Sequence, residues 1–112
     1  MIVVATDAAV DHRQLVRLGR RALIGLGRAG SVMEHGSGDF VIAFSTSRAP
    51  PIAEDRLNPL FQAVADATEE AILNSLFRAR TVRGARGTAQ ALPLDRVERL
   101  LRDHRVRRTR GL

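Results

Sequence analysis

Two short apolar runs of strand length and three stretches with helical periodicity predict a mixed α/β fold built from two strands and three helices. The first run, Ile2-Val3-Val4-Ala5, stands at the very start of the chain. The second, Phe40 to Ser45, follows a glycine-flanked turn, Gly36-Ser37-Gly38-Asp39. Ile2 to Ala5 is apolar without alternation, the pattern of a strand covered on both faces. Two strands alone make a marginal sheet, so further sheet neighbours are expected from another chain or an upstream segment.

Each helix has its own signals. Asp11 followed by Gln14 is a capping-box pattern, which opens a helix with Leu15, Leu18, Ala22 and Leu26 on one stripe. Arg13, Arg17, Arg20 and Arg21 fall mostly on the other side. Gly19, Gly25 and Gly27 weaken this helix intrinsically and permit close backbone packing before it ends near Arg28; residues 29–38 then form a loop. Arg48-Ala49-Pro50-Pro51 reads as a loop after the second strand. Asn58 as N-cap with Pro59 at the first helical position predicts a long helix to about Arg80, with Leu60, Val64, Ala67, Ala71, Ile72 and Leu76 facing inward. Arg83-Gly84-Ala85-Arg86-Gly87 reads as a glycine-rich loop. After Pro93, Asp95 and Glu98 repeat the capping pattern, and Val97, Leu100 and Leu101 mark a final amphipathic helix.

Length and composition bound the function. A chain of 112 residues is one domain at most, and a compact domain of this size buries roughly two thirds of its unfolded surface. With 45% hydrophobic residues, four Phe and no Tyr or Trp, its core must be aliphatic. The absence of Cys excludes disulfides, a thiolate nucleophile and cysteine metal sites. No run reaches the roughly 20 apolar residues of a membrane span, and no signal-peptide pattern opens the chain, so a cytoplasmic protein without membrane contact is expected. The net charge of +6 comes from eighteen Arg and no Lys, read chiefly as a bias in codon usage. Residues 1–77 carry seven Arg against nine acids, and residues 78–112 carry eleven against three. The tail Arg105-Val106-Arg107-Arg108-Thr109-Arg110 reads as a solvated end, and nucleic acid as a lesser alternative partner.

Most motif matches lack the context their chemistry needs. Gly25-Leu26-Gly27-Arg28-Ala29-Gly30 matches the dinucleotide fingerprint in letters, but it closes a helix where that fingerprint must open one. His12, His35 and His104 lack metal-ligand spacing, so no metal or other cofactor is expected. Glu69 and Glu70 are adjacent on a helix and point about 100° apart, which leaves at least one as a surface charge. Ser37 and Asp39 differ, because the alternating glycines let a hydroxyl and a carboxylate project near one another at the lip of a strand. The same four residues also fit a plain turn with Gly36 and Gly38 at positive φ.

Taken in order, Val3-Val4-Ala5-Thr6-Asp7-Ala8, Gly25-Leu26-Gly27-Arg28-Ala29-Gly30-Ser31, Gly36-Ser37-Gly38-Asp39 and Ile42-Ala43-Phe44-Ser45-Thr46 resemble the C-terminal β-chain of the L-aminopeptidase/D-esterase family, which includes the β-peptidyl aminopeptidases. The likeness continues through residues 59–64 and 67–74 to Ala91-Leu92-Pro93-Leu94-Asp95. It implies part of a four-layer αββα sandwich, from a precursor that cuts itself immediately before a serine. That serine becomes the N-terminal nucleophile, with Ser37 and Asp39 as the catalytic-site residues that hold and polarise it. The implied substrates are small peptides, amides or esters, and the implied assembly is a homo-oligomer.

The serine should stand just before the strand that here follows Met1, and none is present there. Residues 1–112 are therefore expected to form a single incomplete domain, truncated relative to the family and inactive alone. Two other classes stand beside this reading. One is a binding module that grips nucleic acid or an acidic partner through its basic tail. The other is a structural subunit that completes a partner's sheet.

Overall fold

The computed structural model describes residues 1–104, which divide into two compact units after Leu73. The basic run from Arg105 to Arg110 lies outside the described residues.

The first unit is built on a βαβ crossover. Strand β1 (Ile2–Thr6) pairs in parallel with β2 (Val41–Ser45), in the register Ile2↔Val41 through Thr6↔Ser45. Parallel neighbours cannot be joined by a tight hairpin, and helix α1 (His12–Arg28) makes the connection. Ile2, Val4, Thr6, Val41, Ala43 and Ser45 are partly covered, while Val3, Ala5, Ile42 and Phe44 alternate onto an exposed face. Only one face of this sheet is therefore covered within residues 1–104. Val3 is 61% exposed, so the apolar run has the composition of a doubly covered strand without the second cover.

The capping box opens α1 as the sequence predicts. The Asp11 carboxylate accepts from the Gln14 amide at 2.8 Å, and the Gln14 side chain accepts from the Asp11 amide at 3.2 Å. The helix closes in a Schellman motif. The Gly30 amide donates to the Gly27 carbonyl and the Ser31 amide to the Leu26 carbonyl, with Gly30 at φ +102°. The Gly-rich hexad is thus a helix C-terminus, as its position after the periodic stretch implied.

Helix α2 (Leu57–Arg78) starts one residue before Asn58, behind a 3₁₀ turn at Glu54–Arg56. Asn58 is consequently not the N-cap, and Pro59 lies within the first turn, where a missing amide still breaks no helical bond. The inward stripe is also rotated from expectation. Leu57, Ala65 and Thr68 are buried with Val64 and Ile72 half-covered, whereas Ala67, Ala71 and Leu76 are exposed. Gly25 gives the reason. A Cβ at Gly25 would collide with the Ala65 carbonyl, and would lie 2.7 Å from the Thr68 Cβ and 2.9 Å from the Glu69 amide. The two helices meet backbone to backbone, so small residues, not the large apolar ones, take the centre of the contact.

Leu18, Ala22, Leu57 and Ala65 form the buried centre. Gln14 lies among them at 2% exposure, and its amide donates to the Ile52 carbonyl at 2.9 Å and to Glu54 at 3.2 Å. Glu54 also pairs with Arg13 and Arg17. The carboxyl pKa of Glu54 is lowered, first by the Gln14 hydrogen bond and then by the two guanidinium groups, against the opposing pull of burial. This cluster ties the loop after β2 to the start of α1. Arg17 and Arg21 also stand over the Phe61 ring, at 5.1 and 4.2 Å from its centre, joining the polar side of α1 to α2. Arg28 pairs with Asp66 at 2.6 Å.

The second unit differs from expectation in two places. The segment read as a glycine-rich loop is a hairpin, with β3 (Val82–Gly84) antiparallel to β4 (Gly87–Ala89). Gly87 at φ +140° takes a conformation that a side chain would obstruct, and that closes the two-residue turn Ala85-Arg86. Helix α3 (Leu94–Asp103) is preceded by Pro93, with no side-chain cap. Asp95 and Glu98 sit inside the helix and pair with Arg99 and Arg102, so the capping reading fails there because the helix starts two residues early, with Pro93 in the N-cap position.

Two stability measurements test this packing. Gly25→Ala should lower the unfolding free energy in urea by about 1–3 kcal/mol through overpacking, despite a gain of about 1 kcal/mol in helix propensity. Because the pKa of Glu54 is lower in the folded chain, its contribution is present above the unfolded value and is lost as pH falls through the folded one. Glu54→Gln should therefore destabilise the chain at pH 7, with the difference from the parent shrinking as pH falls below the ordinary carboxylate range and the Glu54 carboxyl takes up its proton.

Candidate functional site

The parallel register places the candidate residues. Backbone pairing continues one step before the strands, where the Ile2 amide donates to the Phe40 carbonyl at 2.8 Å. Adjacent strands run about 5 Å apart, so the chain entering β1 emerges beside Asp39 and Phe40. Ser37 and Asp39 therefore stand at the same end of the sheet as the start of β1. No reading of the sequence in one dimension shows this, since the two segments are separated by the whole of α1.

Local structure presents both side chains to solvent. The Ser37 amide donates to the Glu34 carbonyl at 2.9 Å, closing a turn in which Gly36 has φ +86°. Gly38 does not share that conformation, contrary to the expectation for a paired-glycine turn. Instead the Phe40 ring lies against it, 2.9 Å from where a Cβ would stand. Ser37 and Asp39 are both exposed, and among the described residues no hydrogen bond joins them.

Asp39 borders an open groove of about 320 Å³ between α1 and β2. Gly19, Val41 and Ala43 provide small or apolar walls, and His12, Arg20 and Asp39 provide polar groups. Gly19 keeps that wall low, because a Cβ there would reach the Val41 and Ala43 side chains at 3.5 and 3.7 Å. His12 and Arg20 were not singled out with Asp39 by spacing. Their shared place follows from helix α1 lying along β2.

The remaining candidates occupy other positions. His35 is exposed in the loop after α1, and His104 closes α3 with its ring Nδ1 2.9 Å from the Leu100 carbonyl oxygen. Glu69 is half-covered and 3.7 Å from Arg28, while Glu70 is exposed. Among the described residues no cluster of His, Asp and Glu could hold a metal ion, and no helix is long and apolar enough to cross a membrane.

The opposite end of the sheet is closed by hydrogen bonds. The Ser45 hydroxyl donates to the Ala8 carbonyl at 2.6 Å, and the Ile52 amide donates to the Ala9 carbonyl at 2.8 Å. The end that carries Ser37 and Asp39 is the open one.

Comparison with known proteins finds relatives of this chain in sequence and in fold. A β-peptidyl aminopeptidase, BapA of Sphingosinicella xenopeptidilytica, is 39% identical over 96% of the chain. Among solved structures, the PH0078 protein from Pyrococcus horikoshii OT3 superposes with a TM-score of 0.83 at 39% identity. The L-aminopeptidase D-Ala-esterase/amidase from Ochrobactrum anthropi, a variant of the Ntn hydrolase fold, does so with a TM-score of 0.78 at 35% identity. Both structural matches cover 92% of this chain. The chain spans about a third of the length of these relatives, 30% of BapA and 33% of each solved structure. Residues 1–90 match the model of peptidase family S58, and the chain belongs to that family.

Proposed function

We propose that this chain forms the β-chain-like part of a self-processing, N-terminal-serine aminopeptidase that removes N-terminal residues from small peptides, amides or esters. The observation that carries the reading is the hydrogen bond from the Ile2 amide to the Phe40 carbonyl, which brings the entry to β1 to the end of the sheet that Ser37 and Asp39 precede.

The chemistry suits that place. A seryl residue at the start of β1, freed by cleavage of the bond before it, would carry an α-amino group of pKa about 7.7–8.0, able to accept its own hydroxyl proton near neutrality. Its Oγ attacks the substrate carbonyl carbon, and the C–N or C–O bond to the leaving group breaks as the amine returns the proton. Water then releases the acyl group by the reverse sequence. Ser37 and Asp39 would hold and polarise this nucleophile, as the hydroxyl and carboxylate that share its end of the sheet. Residues 1–112 carry Met at position 1, so the nucleophile would come from outside them.

The missing two thirds of the relatives' length would supply the oxyanion site and a second layer over Val3, Ile42 and Phe44, completing an αββα sandwich. Burial of that apolar face against a second sheet also explains why β1 and β2 lack strict polar alternation.

Three results test the proposal. The mature chain purified from its native host should have an intact mass larger than that of residues 1–112 by upstream residues that begin with a serine; a mass beginning at Met1 would remove the nucleophile and the mechanism with it. In that native protein, Ser37→Ala should reduce kcat on an amino-acid p-nitroanilide by about 10²-fold or more with a smaller change in KM, the range expected when a proton-handling group is lost. Residues 1–112 alone should release no p-nitroaniline; turnover by that chain, abolished by Ser37→Ala, would contradict the need for an external nucleophile.

A further inference from the structure

The two glycines of Gly36-Ser37-Gly38-Asp39 are needed for different reasons. Gly36 has φ +86°, a conformation that a side chain would obstruct. Gly38 is not at positive φ, so its backbone conformation is not what calls for glycine. The Phe40 ring is. A Cβ at Gly38 would stand 2.9 Å from the Phe40 Cε2, 3.6 Å from its Cδ2 and 3.8 Å from its Cζ. Outside the adjoining residues, these ring atoms are its three nearest neighbours.

Strand geometry explains how the ring comes to lie there. The hydrogen bond from the Ile2 amide to the Phe40 carbonyl carries the β1–β2 pairing back to residue 40. Side chains two apart along a strand share a face, so Phe40 projects with Ile42 and Phe44 onto the exposed apolar face of the sheet. From that face its ring turns back over Gly38, two residues before it. An aromatic ring laid over a strand glycine supplies the cover that the glycine itself lacks.

Gly38 joins the candidate hydroxyl to the candidate carboxylate. On one side the Ser37 amide is tied to the Glu34 carbonyl, and on the other the Phe40 carbonyl is tied to Ile2. Between these anchors, among the described residues, no hydrogen bond within the chain holds Gly38 or Asp39. Glycine is the residue with the greatest backbone freedom, so packing against the ring is the constraint that remains.

We propose that Phe40 is a positioning residue of the candidate site: its ring, seated on Gly38, fixes where the Ser37 hydroxyl and the Asp39 carboxylate project. This role rests on the assignment of both groups to the aminopeptidase reaction. Misplacing such groups by about 1 Å costs on the order of 10²-fold in rate, so loss of the seat is read in turnover.

The test uses the mature protein from its native host and an amino-acid p-nitroanilide. Phe40→Ala removes the ring and Gly38→Ala displaces it. Each should lower kcat by about tenfold or more and change KM by about twofold or less, with circular dichroism and melting temperature close to the parent's. Because both act on one contact, Gly38→Ala/Phe40→Ala should lose no more than the worse single variant. Phe40→Tyr keeps the ring and should hold kcat within about twofold of the parent. Should Phe40→Ala lose its fold, Gly38→Ala and Phe40→Tyr carry the comparison, since a ring 65% exposed can swing into solvent without disturbing the sheet. Losses that multiply in the double variant would overturn the proposal, as would an unchanged kcat in folded Phe40→Ala or in Gly38→Ala. So would a loss in Phe40→Tyr as large as that in Phe40→Ala or Gly38→Ala. If Ser37→Ala lowers kcat and the Phe40 and Gly38 variants do not, the positioning role alone falls; if none of them does, the reading of Ser37 and Asp39 falls with it.

Discussion

The parallel pairing of β1 with β2 is the constraint on which the first unit depends. A parallel neighbour cannot be reached by a turn, so the chain must climb back along the sheet before β2 begins. Helix α1 is that return path, and its length fixes the separation between Ile2 and Val41 in sequence while the register joins them in space. The same register brings the entry to β1 against the Ser37–Asp39 segment. Fold and candidate site are therefore consequences of one set of backbone hydrogen bonds.

Packing on this frame relies on small residues at the crowded points. Gly19 lies over Val41 and Ala43, and Gly25 lies against the backbone of α2 at Ala65 and Thr68. Both glycines cost helix propensity; at Gly25 this is repaid by an approach that a larger residue would forbid, whereas a methyl group at Gly19 would meet Val41 and Ala43 at ordinary contact distance. The polar rim works differently. Gln14 is buried yet fully used, since it caps α1, donates to the Ile52 carbonyl and donates to Glu54. Its position converts a helix start into an anchor for the loop that follows β2.

The two ends and two faces of the small sheet are unequal. One end is sealed by Ser45, Ala8, Ala9 and Ile52, and one face is covered by helices. The other end carries an exposed serine and carboxylate, and the other face is apolar and open. This family S58 chain covers a third of its relatives' length, and it is on these open surfaces that our proposal puts the second layer and the chemistry.

The periodicity of α1, its capping box and the Schellman close were legible because they are local: each depends on residues within one or two turns of one another. Ordered motifs such as Gly36-Ser37-Gly38-Asp39 and Ile42-Ala43-Phe44-Ser45-Thr46 likewise identified the family from residues alone. The inner face of α2 was misplaced because it is set by Gly25 on a different helix, and hydrophobicity ranks Leu76 above Thr68 without knowledge of that contact. The hairpin at residues 82–89 was missed because its strands are three residues each, too short for alternation to register, and glycine reports a turn but not the pairing around it. Sequence by itself determined the elements and the candidate hydroxyl and carboxylate. Tertiary structure decided that the start of β1 lies beside them, because a parallel register brings together positions that the chain separates by a whole helix.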